Sequence, residues 1–381
     1  MRLIYLDNNA TTALAPEVFD AMQPYLTELY GNPSSIHSFG QRAAQAIEQA
    51  RQQVAELIGA RPRQVVFTSG GTESDNLAIR GVLSARPDKR TIVTTAVEHP
   101  AVFQLCQQLQ RDGYRVRWVG VDGLGRLDLD QFAEAIDDQT ALVSVMWANN
   151  ETGVIFPIEQ VAAITSSRGV PLHVDAIQAV GKIPIDLANV PVDLLSISAH
   201  KLHGPKGVGA LYLRRPTLIK PLLVGGHQEL GQRPGTPNVA GIVGFGRACQ
   251  LAAASLHLQQ RVGLLRDRLE GQICQQISIA SVNGDRANRL PNTTNISFEA
   301  IEAEAILLSL SERGVCASSG SACTSGSLEP SHVLEAMRLG PRRVHGAVRF
   351  SLSRYTTQDE IDETVRLLRP IVERLVRLMP A

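Results

Sequence analysis

Gln64-Val65-Val66-Phe67-Thr68-Ser69-Gly70-Gly71-Thr72-Glu73-Ser74 joins a short β-branched apolar run to a glycine pair and the polar opening of a helical pattern. A strand buried on both faces reads as such a run. Six more runs of this kind follow: Thr91–Thr95, Val116–Val119, Ala141–Trp147, Pro171–Val174, Leu194–Ser198 and Gly209–Leu213. Between most of them lie apolar residues at three- and four-residue spacing, over Ala43–Ile58, Ala101–Gln110, Leu129–Ile136 and Ile158–Thr165. Repeated strand–helix alternation predicts an α/β fold, a mostly parallel central sheet with helices on both faces. From about residue 237 the pattern changes. One long helix is expected from Val239 to about Ile273, then a smaller α+β unit. In that unit the expected strands are Thr294–Phe298 and Val348–Leu352, and the expected helices Ala303–Glu312 and Asp359–Leu378.

The chain has 381 residues, and its 37 basic and 37 acidic side chains cancel. That balance argues against binding to DNA or an anionic membrane, which need a basic surplus. No apolar run approaches the roughly 18 residues of a membrane span. The five cysteines are scattered without a paired framework, so a reduced, cytoplasmic protein is expected. Arginine dominates the cations: only Lys89, Lys182, Lys201, Lys206 and Lys220 offer an amine.

Ser69 to Ser74, between a strand and a helix, forms a candidate anion cradle of backbone N–H groups and the Thr72 hydroxyl. The same residues also fit an ordinary helix cap. Ser196-Ile197-Ser198-Ala199-His200-Lys201-Leu202-His203-Gly204-Pro205-Lys206-Gly207 puts a lysine directly after an apolar run. A desolvated lysine there is suited to a Schiff base with an aldehyde cofactor. Asp175 closes the Pro171–Val174 run, where a carboxylate faces the ligand crevice of an open sheet or caps a helix. A phosphate cradle, a strand-end aspartate and a later lysine together make the minimal set for pyridoxal phosphate. His99 follows a strand and could stack on a flat ring or move protons; Asn150 and Gln178 occupy similar strand-end positions. Arg349 alternates with apolar residues. It is either a carboxylate clamp facing inward or a solvated group on a surface strand. Cys323 stands in Ser318-Ser319-Gly320-Ser321-Ala322-Cys323-Thr324-Ser325-Gly326-Ser327, a polar loop where a thiol is exposed. Cys106 and Cys249 sit in apolar helical patterns and read as core.

Taken together, these residues resemble the cysteine desulfurases of the NifS/IscS type, within the class V aminotransferases of PLP fold type I. The likeness runs in order through Tyr5–Thr12, Gly31–Ser35, Thr68–Asn76, Glu98-His99, Asn149–Gly153 and Asp175–Gln178. It continues through Ser198–Gly207, Gly225–Thr236, Gly320–Pro330 and Val348–Thr357. Around Cys323 and Gly225–Thr236 it lies closer to the NifS side.

The resemblance implies a large domain over 15–255, and a small domain of 1–14 and 256–381 that carries the catalytic-cysteine loop. It implies pyridoxal 5'-phosphate as a Schiff base on Lys201, Asp175 at the pyridine nitrogen, His99 on the ring and Gln178 at the ring hydroxyl. Gly71, Thr72, Ser198 and His200 would hold the phosphate, with Thr236 arriving across a homodimer interface. Asn150 and Arg349 would hold the substrate carboxylate. L-cysteine would become L-alanine, and Cys323 would carry the sulfur as a persulfide to an iron–sulfur scaffold protein or another acceptor. No resident metal is implied, with Cys323 a candidate transient iron–sulfur ligand. Two rivals stand beside this reading. An aminotransferase or selenocysteine lyase on the same fold would use Lys201 without Cys323. A cofactor-bound scaffold, or a metal-binding protein built on Cys316, Cys323 and His332, would turn nothing over.

Overall fold

The computed structural model describes residues 3–319 and 330–378. Twelve strands appear, named in chain order: β1 Ile4–Tyr5, β2 Val65–Thr68, β3 Thr91–Thr95, β4 Arg115–Val119, β5 Thr140–Met146 and β6 Leu172–Asp175, followed by β7 Leu194–Ser198, β8 Gly209–Leu213, β9 Ala280–Asn283, β10 Thr293–Phe298, β11 Val315–Cys316 and β12 Ala347–Ser351. Seven of them form the main sheet, in the order β2-β8-β7-β6-β5-β3-β4. All of its pairings are parallel except those made by β8. All residues of β5, β6 and β7 are buried, as expected of strands covered on both faces. The seven predicted runs are these seven strands.

Register decides where the strands end. Met146 lies opposite Asp175, and Asp175 opposite Ser196, so β5, β6 and β7 finish along one edge. β8 runs antiparallel between β2 and β7, and its Gly209 faces both Thr68 and Ser198. The end of β2 is thereby drawn beside the end of β7. Gly209 has no room for a side chain: a Cβ there would stand 2.6 Å from the Ile197 carbonyl oxygen and 2.8 Å from Gly70 Cα.

A second, three-stranded antiparallel sheet, β12-β10-β9, pairs Asn295 with Arg349. It has its own apolar core, including Leu269, Phe298, Ile306, Phe350 and Leu368, to which Ile4 and Leu6 from the N-terminus belong. The expected single helix from Val239 to Ile273 is a correction. Two helices, Val239–Ala254 and Gln259–Gln276, meet at a 56° bend. The Ser255 hydroxyl bonds back to the Leu251 carbonyl at 2.6 Å and accepts from Arg354 at 3.2 Å. Each half then buries its stripe in a different core, Phe245 and Ala248 in the large one and Leu265 and Leu269 in the small one. Strands β1, β9 and β11 were not anticipated.

The outer edge of the main sheet is covered by a strap that includes Glu229 and Leu230, both left-handed at φ 48° and 56°. Glu229 accepts from the Phe67 amide of edge strand β2 at 2.8 Å and pairs with Arg51 at 2.6 Å. Arg51 also donates to the Val65 carbonyl at 2.8 Å. An open edge is thus closed by a buried ion pair, and strained backbone persists because the pair holds it. Arg51→Ala leaves the Glu229 carboxylate buried and unpaired. The expected loss, read from the urea midpoint, is about 3–5 kcal/mol of unfolding free energy. A change below about 0.5 kcal/mol, the size of an ordinary surface substitution, would show that the strap is not anchored here.

Candidate active site

Where β5, β6 and β7 end, a cavity of about 210 Å³ opens. Its lining brings together Gly71, Thr72, His99, Asn150, Asp175, Gln178, Ser198, His200 and Lys201. Nine residues singled out on sequence grounds thus share one space. Arg349 lies one contact away: its Nη1 donates to the Asn150 carbonyl at 3.0 Å and its Nη2 to Asp7 Oδ1 at 2.7 Å. It is 2 % exposed, so the surface-strand alternative is ruled out. Thr236 does not line this cavity, although Arg233 ties its loop to Glu73 in the first turn of the helix Gly71–Ala85 at 2.8 Å. Cys323 lies outside the described residues.

The segment containing Cys323 is flanked by two anchored ends. Ser318 exchanges backbone hydrogen bonds with Arg349, at 2.6 and 3.2 Å. Ser331 donates to Glu151 Oε2 at 2.6 Å, and His332 Nε2 meets the Glu98 carbonyl at 2.9 Å. Both ends are therefore fastened beside the site: Arg349 bonds the lining residue Asn150, and Glu98 and Glu151 adjoin the lining residues His99 and Asn150 in the chain.

Local sequence explains each placement. Gly71 opens its helix with no side chain because a Cβ would stand 2.1 Å from Ile177 Cδ1. That close approach sets the helix N-terminus, with its free N–H groups, against the cavity. His99 caps the helix Pro100–Arg111, its Nδ1 accepting from the Ala101 amide at 3.1 Å. An accepting Nδ1 puts the proton of a neutral ring on Nε2. Burial, and then the Lys201 cation, push the His99 pKa down to about 4. Burial, with the Lys201 cation next, likewise takes His200 down to about 4, and its Nδ1 lies 3.1 Å from Thr11 Oγ1. Lys201 follows β7 in a short turn and donates to the backbone carbonyls of Ala10, at 2.8 Å, and Asn9.

Asp175 accepts from the Ile177 amide at 2.9 Å. Burial pushes its carboxyl up to about 6, although that hydrogen bond and the Lys201 cation pull the other way. A buried carboxylate of this kind favours a cationic partner. Two further atoms ask for a ligand: Ser198 Oγ and Asn150 Oδ1 are buried in the lining without a hydrogen-bond partner. An anion at the Gly71–Thr72 helix end would meet Ser198 and His200, a protonated ring nitrogen would meet Asp175, and an aldehyde would meet the Lys201 amine. The residues present fit pyridoxal 5'-phosphate.

Sequence reasoning passed over three groups. Asp7 holds the Arg349 fork, Asn9 bonds several site residues, and Lys182 sits buried behind Gln178. Asp7 and Asn9 fall within the quoted N-terminal likeness. The lysine census, five in the whole chain, was the one signal for Lys182.

The aminotransferase class-V family model matches residues 4–364. A cysteine desulfurase of Trichormus azollae is 55% identical over 100% of this chain and 95% of its own length. The cysteine desulfurase NifS of Azotobacter vinelandii is 54% identical over 99% of this chain and 94% of its own. Among solved structures, a NifS-like protein superposes with a TM-score of 0.92 at 39% identity, covering 99% of this chain and all of the other. SspA in complex with cysteine superposes with a TM-score of 0.82 at 35% identity, over 93% of this chain and 99% of its own.

A neutral His99 in the folded protein sets the sign of a pH effect. Its pKa is about 4 folded against about 6.5 unfolded, so the unfolded chain binds more protons between those values. The associated stability is complete above about pH 6.5 and is lost as the pH falls toward about 4. In the cofactor-free protein, His99→Gln is expected to flatten the stability-against-pH slope in this window by up to about 1.4 kcal/mol per pH unit. Denaturant titrations at several pH values measure it, and parallel slopes for variant and wild type would refute a neutral His99.

Proposed function

The chain belongs to the aminotransferase class-V family and, within it, to the cysteine desulfurases, and we propose that Lys201 and Cys323 divide its reaction between them in a homodimer. The protein is a pyridoxal-phosphate enzyme that takes sulfur from L-cysteine, leaving L-alanine, and passes it to an acceptor. One observation carries the division of labour. Lys201 lines the cavity, while both ends of the cysteine-bearing segment are fastened beside it, at Arg349 and at Glu98.

Pyridoxal phosphate supplies an electron sink for the substrate's α-carbon. The chain supplies the rest. The Gly71–Thr72 helix end, Ser198 and His200 would hold the phosphate, and Asp175 would face the charge of the ring nitrogen. His99 would stack on the ring, and Gln178 would hydrogen-bond the ring oxygen. Arg349, preset by Asp7, takes the substrate carboxylate together with Asn150. The Lys201 amine moves the α-proton. The Cys323 thiolate attacks the substrate sulfur: an S–S bond forms, the C–S bond breaks, and its electron pair stays with the carbon that becomes the methyl group of alanine.

Two sheets with separate cores support a large cofactor-binding unit over 15–255, and a smaller one of 1–14 and 256–381. An iron–sulfur scaffold protein is the acceptor class we favour, with Cys323 a transient sulfur or cluster ligand. Among the described residues no single helix is long and apolar enough to cross a membrane, and the four cysteines are free. Both support a cytoplasmic setting.

The dimer reading rests on exposed apolar side chains, Tyr30 and Ile36 near the N-terminus and Leu223, Val224 and Leu230 beside the strap. An interface there would let Thr236 reach the neighbouring protomer's phosphate. Val224→Asp and Ile36→Asp are each expected to shift the protein toward monomers in sedimentation velocity, with cofactor affinity falling in step. Two variants that remain dimeric would remove this interface.

For the chemistry, purified protein with pyridoxal phosphate and a thiol reductant should form alanine and sulfide in equal amounts from L-cysteine. Cys323→Ala should retain the bound cofactor's absorption band and lose turnover by at least about a hundredfold, the scale of one reacting group. Normal turnover in that variant would overturn the role of Cys323 and favour a transaminase or lyase.

A further inference from the structure

Lys182 is 8 % exposed and takes no part in the reaction described above. Its Nζ donates to Gln178 Oε1 at 2.7 Å and to Asn9 Oδ1 at 3.3 Å. The Gln178 amide is bound at its other end as well, Nε2 donating to the Asn9 carbonyl at 2.9 Å. An amide's oxygen and nitrogen are told apart by their partners. Here both partners agree: an amine with hydrogens to give must face the oxygen, and a carbonyl must face the nitrogen. The nitrogen has a second hydrogen, and Gln178 lines the cofactor cavity. Without Lys182 the oxygen would be a buried acceptor with nothing to accept from, and the Asn9 carbonyl alone would be left to set the amide.

We infer that Lys182 is a positioning residue for the cofactor: it fixes the Gln178 amide so that its nitrogen, not its oxygen, is offered to the ring oxygen. The inference rests on the reading that Gln178 meets that oxygen. A donor there favours the oxygen's anionic form, and an acceptor would oppose it.

The surroundings suit a donor that adds little charge. Burial, and then the Lys201 and Arg349 cations, push the Lys182 amine well below the usual ammonium range. Lys182 and Lys201 also share a small rear cavity of about 30 Å³, whose other titratable lining groups are His203 and Arg354, with no carboxylate. The amine has hydrogens enough for the two acceptors it meets. Asn9 is itself fixed, donating through Nδ2 to the Asn150 carbonyl at 3.1 Å and to Thr293 Oγ1 at 2.9 Å. The support behind Gln178 is therefore rigid on both sides.

The test uses cofactor-loaded enzyme and two readouts apart from turnover, the cofactor dissociation constant and the pH midpoint of its absorption band. K182M is expected to weaken cofactor binding about tenfold and to raise the midpoint by about one pH unit. Q178L should do the same, and the double variant no more than either alone, because one residue acts through the other. Effects that add in the double variant would overturn the inference, as would a silent K182M beside an affected Q178L. A silent Q178L would instead overturn the underlying reading that Gln178 meets the cofactor. Should K182M fail to fold, K182Q keeps a donor at this position and should retain most of the wild-type midpoint; a midpoint equal to that of Q178L would overturn the proposal.

Discussion

Asn9 is where the two sheets of this protein become one site. Its backbone carbonyl accepts from both the Lys201 amine and the Gln178 amide. Its side chain bonds the Asn150 carbonyl, Thr293 and Asn292, and takes a hydrogen bond from Lys182. Lys201 and Gln178 follow strands of the main sheet, whereas Thr293 opens β10 of the small one. Asn9 itself is held by its neighbours from β12, its amide donating to Ser351 Oγ at 2.9 Å. Buried, each of these groups needs a partner, and one asparagine supplies partners to several at once. The same N-terminal stretch carries Asp7 to Arg349 and seats Leu6 in the small core. Disturbing it would disturb the amine, the ring-facing amide and the carboxylate clamp together.

Much of this arrangement was legible in the sequence because its signals are local. A strand buried on both faces writes itself as a β-branched run, and the seven runs became the main sheet. A polar residue that closes such a run stands at the sheet's ligand-facing edge, which is why Asp175 was found, whereas the role of Ser198 came only with the family resemblance. Pairings between distant parts of the chain leave no such trace. Asp7 and Arg349 are 342 residues apart, and no period or spacing joins them. β1 and β11 are two residues each, too short for alternation to register. The break near Ser255 was hidden because both helices carry the same apolar spacing and only their cores differ. Lys182 reads as one more lysine until burial removes its water.

Charge is separated across the site. Asp175, Asp75 and Glu98 lie buried near one another, and each raises or is raised by another of the three. Burial comes first and neighbouring carboxylates add to it: Glu98 is pushed up to about 8, and Asp75 well above the carboxylate range. Asp175, raised only to about 6, is the more acidic of the pair it forms with Glu98 and the one better able to carry a negative charge at neutral pH. The histidines complement this. His173, wedged between Ser144 at 2.8 Å and Ser196 at 3.0 Å, is held neutral by burial at a pKa of about 3. It supplies hydrogen bonds behind Asp175 without neutralising it.

On the other side stand Lys201 and Arg349, with the Lys182 amine behind them, pushed below the usual ammonium range by burial and then by those two cations. A ligand that is cationic at one ring atom and anionic elsewhere gains from both walls, and one of uniform charge gains from only one. This separation, more than any single contact, suits the site to a zwitterionic ring. An ionised Glu98 would set a second negative charge near Asp175 and repel it, spoiling that separation.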